Sequence, residues 1–332
     1  MANYSIKDIA QLSGVSPATV SRVINDNGRF SEATRQKVLA VIQETGYQTN
    51  YSAKSLRMHK SFSIGVLVPD ISNHFFASLV QQIEAILFDQ GYSTIICNTA
   101  RSSTKEQAYL QMLASKGIDG LVIISGPQAF DIEQAALPTT IPYVCIDREP
   151  KQRADTVFIA ANHYQGAFDA TEALLQRGCQ RPIMALHAQL SSSGTERLHG
   201  FQDALKKNNR TFDAQTQLLQ LTDTDRLPKL KAYLAKFPAT DGIFAVNDAL
   251  AVELLSALTQ LGQKVPAEIQ LIGFDDDPLD QHTTPTLSSV KQDLTQLAQV
   301  TVDNLLKAIN HQATYGKSIS IPVTLALRES TK

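Results

Sequence analysis

Between Ile6 and Asn25 the chain spells two short helices around a single glycine, a pattern that restricts this end to a helix-turn-helix. Ile6, Ile9, Ala10 and Leu12 recur at helical spacing and make one apolar face. Ser5 is placed to cap the first helix, with Asp8 three residues on as a shorter relative of the Ser-x-x-Glu box. Gly14 supplies the break, because glycine enters positive φ without steric cost. Ser16 then caps a second helix, and Pro17 takes its first turn, where a missing N–H costs nothing. Ala10, Val15, Val20 and Val23 can close a small core, which leaves Thr19, Ser21, Arg22 and Asn25 outward. A second helix with a polar outer face is the geometry of a recognition helix for DNA.

Two short helices about a glycine also occur in ordinary all-α proteins, so the surrounding residues decide between the readings. A third helix is expected from Glu32 to Glu44, opened by Ser31 and stopped by Gly46, with Val38, Leu39, Val41 and Ile42 available for packing. Residues 1–60 carry Lys7, Arg22, Arg29, Arg35, Lys37, Lys54, Arg57 and Lys60 against Asp8, Asp26, Glu32 and Glu44. This end is therefore basic by four charges, whereas the whole chain has a formal charge of −2. Such asymmetry fits a polyanion-binding head on an acidic body. Ser16, Pro17, Ala18, Thr19, Ser21, Arg22 and Asn25 are its DNA-facing candidates.

The run Ile6 to Asn25, then Phe30 to Val38, Gly46-Tyr47, Asn50 and Ala53 to Arg57, resembles the lactose/galactose-repressor family of bacterial transcription regulators. The similarity continues through Ile64 to Asn73 and Phe75-Phe76, and it covers essentially the whole chain. Read alone, residues 48–60 are a polar, basic linker in which Asn50 can cap a helix from Tyr51 to Arg57, too short to hold by itself. The resemblance implies a hinge helix that orders on the operator, pairs with its dimer mate in the minor groove and wedges a leucine between base steps. Leu56 matches that leucine, and Asn50 and Ala53 join the DNA-binding set.

Beyond residue 60, short β-branched-rich runs alternate with amphipathic helices. The runs are Ile64–Val68, Thr94–Cys97, Leu121–Ile124, Tyr143–Ile146, Ile183–Leu186, Gly242–Val246 and Ile269–Ile272. Helices are expected over Phe76–Gln90, Lys105–Lys116, Tyr164–Gln176, Arg197–Lys207 and Ala249–Leu261. Fully apolar strands between such helices make parallel sheets covered on both faces, an α/β class. About 270 residues exceed what one sheet usually needs, so two lobes are expected. The resemblance implies a periplasmic-binding-protein type I core, two parallel sheets flanked by helices, with crossovers near Ala161, Val290 and Val323. The expected domains are a helix-turn-helix at 1–47, a hinge at 48–60 and an effector-binding and dimerisation body at 61–332. In that body, lobe 1 is about 61–161 with 291–323, and lobe 2 about 162–290 with 324–332.

Ligands of open α/β sheets bind at the carboxyl ends of strands. Those ends carry Asn73 and Phe75, Asp147-Arg148, the run Ser191 to Arg197, Asn247-Asp248 and Asp275-Asp276-Asp277. Amides, carboxylates, an arginine and aromatic faces suit a polyol. The resemblance implies that Asn73, Phe75, Arg197, Asn247 and Asp275 line the effector site, with Arg148 a further candidate and Asp147 behind them. A helix N-cap competes as the role of Asn247 or Asp248. Ser191 to Thr195, ahead of a helix, can also be an anion nest, which admits a sugar-phosphate. Where family members often carry Asp-Asn, this chain reads Asn162-His163, a departure from the usual ligand chemistry. The closest likeness is to sucrose- or fructose-type repressors, then to ribose-type ones.

Enzymatic signatures are missing: there is no Gly-x-Ser-x-Gly elbow, Walker loop or His-Glu-x-x-His helix. No cofactor or metal is expected; adjacent Asp275, Asp276 and Asp277 rarely face one ion, and the seven histidines show no ligand spacing. Cys97, Cys145 and Cys179 read as buried thiols of a reducing cytoplasm. Without a signal peptide or long apolar run, a cytoplasmic, nucleoid-associated protein is expected, with no membrane partner. The expected partners are double-stranded operator DNA with a pseudo-palindrome, a small sugar or sugar-phosphate, and a second copy of the chain. The helix Phe76–Gln90 is the candidate dimer contact, and no leucine heptads at the carboxyl end suggest a tetramer. The favoured function is a repressor of a carbohydrate operon released by its sugar. The alternatives are a global carbon catabolite regulator with a phosphocarrier protein as corepressor, and, more remotely, a sugar-processing enzyme with a regulatory head.

Overall fold

The computed structural model describes residues 4–47, 60–126, 129–133, 141–222, 224–313 and 315–332. Asn50, Ala53 and Leu56 lie outside the described residues. The chain divides into two compact units, residues 1–61 and 62–332.

The first unit holds α1 (Ile6–Ser13), α2 (Pro17–Ile24) and α3 (Glu32–Thr45). Ser5 and Asp8 cap each other's backbone, so the short aspartate completes the box. Ser16 Oγ accepts from the Thr19 N–H at 3.1 Å, and Pro17 opens α2. Gly14 sits at φ +66° between the helices. Ile9, Ala10, Val20, Val23 and Val38 form the core, with Val15, Val41 and Ile42 packed on it. Leu12 and Leu39 do not join it: they are 57% and 45% exposed. At 100° per residue, Ser13 rather than Leu12 continues the face of Ile6, Ile9 and Ala10, and its hydroxyl donates to the Ile9 carbonyl at 2.6 Å. Leu39 lies beside the Val38–Ile42 face for the same reason.

The second unit is built on two six-stranded sheets. In chain order its strands are β1 (Ser63–Val68), β2 (Ser93–Asn98), β3 (Gly120–Ile124), β4 (Tyr143–Ile146), β5 (Val157–Ala161), β6 (Pro182–His187), β7 (Leu218–Leu221), β8 (Gly242–Ala245), β9 (Gln270–Asp275), β10 (Ser288–Gln292), β11 (Ser318–Ile321) and β12 (Val323–Ala326). The main helices are α4 (His74–Asp89), α5 (Ser103–Ser115), α6 (His163–Gln176), α7 (Ser192–Lys207), α8 (Arg226–Lys236), α9 (Asp248–Gln260) and α10 (Leu294–Ile309). The first sheet, β11-β5-β4-β3-β1-β2, is parallel throughout. The second, β12-β10-β9-β8-β6-β7, is parallel except for the antiparallel pair β10–β12.

The chain leaves the first sheet after β5, returns after β10, and crosses again between β11 and β12, where Pro322 alone separates the strands. Both faces of the first sheet are covered, one by Leu79, Ile83, Leu297 and Val302 of α4 and α10, the other by Leu110 and Leu113 of α5. The second sheet has one continuous core that includes Phe201, Phe244, Leu254 and Phe274. Helical elements start earlier than expected where polar caps lie upstream of the apolar periodicity: Asn73 caps α4, Ser102 caps α5 and Ser191 caps α7.

Helices α6 and α7 pack so closely that a Cβ on Gly200 would sit 2.2 Å from the Tyr164 carbonyl oxygen. Backbone cannot yield there as a flexible side chain would, so Gly200→Ala is expected to cost ~1–3 kcal/mol of stability by overpacking. A lower urea midpoint with an unchanged m-value is the expected signature. An unshifted midpoint would show that the two helices separate freely.

Candidate functional site

On the head, Ser16, Pro17, Ala18, Arg22 and Asn25 are exposed, and Thr19 and Ser21 are half-buried. Several of these groups are spoken for locally. The Ser16 and Thr19 hydroxyls lie 2.9 Å apart, and Asn25 Nδ2 donates to the Ser21 carbonyl at 2.7 Å. Arg22 is the long donor of the exposed surface of α2; its stem lies along Gly28, whose Cβ position is 3.4 Å from Arg22 Cδ. Its guanidinium forms no ion pair among the described residues.

In the second unit a cleft, partly open to solvent, gathers strand ends from both sheets. Asn73, Phe75, Arg197, Asn247 and Asp275 all line it. The two amides serve both as caps and as cleft lining: Asn73 Oδ1 accepts from Phe76 N at 3.4 Å, and Asn247 Oδ1 from Leu250 N at 3.0 Å. Capping consumes the carbonyl side of each amide and leaves its NH2 as the donor for a ligand. Phe75 and Phe76 meet edge to face at 5.3 Å and supply an apolar wall. Of the lining residues, Arg101, Ser125, Asp147 and Asp275 take positive φ, at 58°, 48°, 53° and 129°. Strain of this kind persists only where surrounding structure enforces it, and it clusters at ligand sites.

The centre of the cleft is Arg197, 6% exposed and anchored on every side. Its Nη1 donates to the Val246 carbonyl, its Nε to His163 Nδ1 at 3.4 Å, and its Nη2 lies 3.5 Å from Asp275 Oδ1. The guanidinium also stacks on Phe274, 3.6 Å from the ring centroid. His163 Nε2 in turn lies 2.7 Å from Asp147 Oδ1. Arginine has only donors, so Nδ1 must accept and Nε2 carries the proton given to Asp147, which fixes a neutral tautomer. Burial lowers the His163 pKa first of all, against the pull of Asp147. Burial also pushes the Asp275 carboxyl up to about 8, against the charge of Arg197, and Gln292 Nε2 donates to it at 2.7 Å. A chain Asp275–Arg197–His163–Asp147 thus links β9 of one sheet to the end of β4 of the other.

Two sequence candidates sit elsewhere than expected. Arg148 lines an adjoining hollow, not this cleft, with both guanidinium ends on Glu106 at 2.6 and 3.2 Å. Asp147 lines the cleft itself. The Ser191–Thr195 run is not a stretch ahead of the helix but the cap and first turn of α7: Ser191 is the N-cap, its Oγ accepts from Gly194 N at 3.2 Å, and residues from Ser192 on are helical. Arg101 and Ser125 were overlooked although they follow β2 and β3, where the strand-end rule would have placed them. His187, the last residue of β6, and Gln189 and Leu190 after it were missed likewise. Among the described residues, no group of three or more His, Cys, Asp and Glu could hold a metal, and no helix is long and apolar enough to cross a membrane.

A helix-turn-helix on a two-sheet cleft domain defines a bacterial DNA-binding regulator with a ligand-receptor body. Residues 5–50 match the bacterial regulatory proteins of the lacI family, and residues 171–331 match a periplasmic binding protein-like domain. The chain is 32% identical to the ribose operon repressor of Halalkalibacterium halodurans over 99% of its own length and 97% of that protein. It is 33% identical to the sucrose operon repressor of Streptococcus mutans, with 98% of each covered. The lac repressor dimer bound to operator and the anti-inducer ONPF superposes with a TM-score of 0.86 at 26% identity, over 99% of both chains. The chain belongs to the lacI family.

The neutral, buried His163 makes a signed prediction. Its folded pKa lies below the ordinary 6.5, so the unfolded chain binds its proton first, and this residue subtracts stability as pH falls below about 6.5. Asp275, raised in the fold, acts with the opposite sign, so only a comparison with a variant isolates the histidine. His163→Asn is expected to cost ~1–3 kcal/mol at neutral pH by breaking a buried network, and to flatten the loss of Tm between pH 7.5 and 5. An equally steep pH slope in the variant would remove His163 from the account.

Proposed function

We propose that this chain is a homodimeric repressor of a carbohydrate-utilisation operon, bound to a pseudo-palindromic operator and released by a small sugar. The observation that carries the reading is that the anchored Arg197 and Asp275 line one cleft with two helix-capping amides, Asn73 and Asn247, and the Phe75–Phe76 wall. Fixed planar donors and acceptors take vicinal hydroxyls, and an aromatic face takes the apolar side of a sugar ring. Sucrose- or fructose-type effectors come first and ribose-type second, in line with the sucrose and ribose operon repressors among its relatives. Sugar that binds a closed cleft more tightly than an open one shifts the lobes, and the segment 48–60 passes that shift to the heads. Arg22 selects the site, and Leu56 wedges the minor groove.

The dimer contact is assigned to α4 and the neighbouring edge of the first sheet. Phe88 on α4 is 71% exposed and Ile96 on the edge strand β2 is 47% exposed, an apolar pair that water does not favour. Phe88→Asp is expected to yield monomers in sedimentation and to weaken operator binding; a dimer of unchanged affinity would move the contact elsewhere.

The experiment that tests the function is an operator titration with sucrose, fructose and ribose. Loss of the complex on adding one of them supports the reading, and dependence of operator binding on a phosphorylated carrier protein overturns it. Arg22→Ala should cost ~1–3 kcal/mol on the operator and less on random DNA. Equal losses on both would assign Arg22 to phosphate. Arg197→Lys keeps the charge but loses the planar fork, so the sugar concentration needed for release should rise at least tenfold.

A further inference from the structure

Asp248 and Asp280 do not line the cleft, yet they are 2% and 0% exposed and hydrogen-bond each other through their carboxyl groups. Asp248, the first residue of α9, is provided for as an anion. Its Oδ1 accepts from Ser289 Oγ of β10 at 2.6 Å and its Oδ2 from the Asp277 N–H at 2.9 Å. The positive end of the helix adds to this. Space is reserved as well, since a Cβ on Gly273 of β9 would overlap Asp248 Oδ1. Asp280 has the opposite surroundings. It sits in the 3-10 turn Pro278–His282, and among the described residues no N–H or hydroxyl reaches either of its carboxyl oxygens. Asp248 and Asp277 face it with like charge. Arg328, the cation on that side, has Nη1 on the Leu287 carbonyl at 2.6 Å and Nη2 on Asp276 at 2.5 Å. Lys291 lies 3.9 Å from Asp276, and His74 of α4 lies 3.4 Å from Asp277. A charge on Asp280 would be buried without a donor, whereas a neutral acid has one O–H to give and Asp248 to receive it.

We infer that Asp280 is a positioning residue of the cleft: it keeps its proton at neutral pH, gives it to Asp248, and so holds the start of α9 against the turn that carries Asp275. Its bearing on the ligand rests on the sugar-released reading. The two ends of this contact are one step from the cleft. Asn247, the residue before Asp248, lines it, and Asp275 lies two residues before Asp277, whose N–H Asp248 holds. Burial pushes the Asp280 carboxyl up to about 9, and the charge of Asp248 adds to that. Loss of the proton leaves two carboxylates in contact away from water, and the turn is driven from the helix. The unfolded chain releases the same proton near the ordinary 3.8, so the contribution to stability is lost as pH climbs from there through about 9. Asp275, also raised, acts with the same sign, so a variant at 280 is needed to separate the two.

Asp280→Asn tests this in the full-length protein, because asparagine keeps a neutral donor toward Asp248 and cannot titrate. Its Tm should gain on that of the wild type steadily as pH is raised from 5.5 to 9.5. Infrared difference spectra at pH 7 should show the carbonyl band of a protonated carboxylic acid in the wild type that the variant lacks. In the operator titration with sucrose, fructose and ribose, the releasing concentration should rise about threefold more between pH 7 and 9.5 in the wild type than in Asp280→Asn. A variant with the wild-type pH slope of Tm, or with the same carboxylic acid band, overturns the shared proton. Should Asp280→Asn not fold, Asp280→Ser supplies another neutral donor, and failure of both overturns it too. Release curves that shift in parallel, while the thermal and infrared differences hold, overturn the link to the cleft. Failure of every sugar to release the operator removes the sugar-released reading, and the thermal and infrared results still decide the proton.

Discussion

A guanidinium cannot be buried without partners, and the ligand end of this molecule is arranged around that requirement at Arg197. Taking the charge out of water costs several kcal/mol unless hydrogen bonds and opposite charge repay it. The repayment comes from four residues on three different elements: Val246 after β8, His163 at the start of α6, and Phe274 and Asp275 at the end of β9. Because His163 passes the interaction on to Asp147 at the end of β4, the same network ties one sheet to the other. A side chain held this way cannot adapt to a ligand by changing rotamer. Discrimination then falls to groups aimed in advance, and any relative movement of the lobes must be felt at Arg197.

The same logic of satisfied burial explains why some of the fold was legible and some was not. Strands β1, β3, β4 and β8 announce themselves because their burial is repaid by apolar side chains alone. Strand β10 reads Ser-Ser-Val-Lys-Gln, with no apolar run, yet Ser288 and Ser289 are fully buried. Ser289 Oγ donates to Asp248 at 2.6 Å, and Ser288 N to Ser330 Oγ at 2.8 Å. Hydrogen bonds to residues far along the chain stand in for hydrophobicity there, and a local pattern cannot contain them. The short β11 and β12 escape for a different reason. They lie at the margins of their sheets, where half-exposed alternation is indistinguishable from a loop.

The helix starts show the reverse case. Capping residues Ser5, Ser16, Ser31 and Asn247 were visible, because a cap acts within three residues of itself. Of the candidate site, the strand-end rule located the polar groups but not their partners. Nothing near Arg148 in sequence points to Glu106, which reaches it from α5 across 42 positions. His163 stood out only as a departure from the family's usual residues, and its meaning became readable once Arg197 and Asp147 were seen on its two nitrogens.

The carboxyl-terminal residues close this dependence on distant partners. Arg328 donates to the Leu287 carbonyl and to Asp276, and Ser330 Oγ donates to the Leu271 carbonyl. These contacts bind the last residues to β9 and to the turn that follows it, one residue from Asp275. The turn is left-handed at both Asp275 and Asp276, conformations that neither aspartate would keep unaided. The chain end therefore helps to hold the carboxylate that faces Arg197, and the geometry of the cleft is set by the last residues of the chain as much as by the strands that frame it.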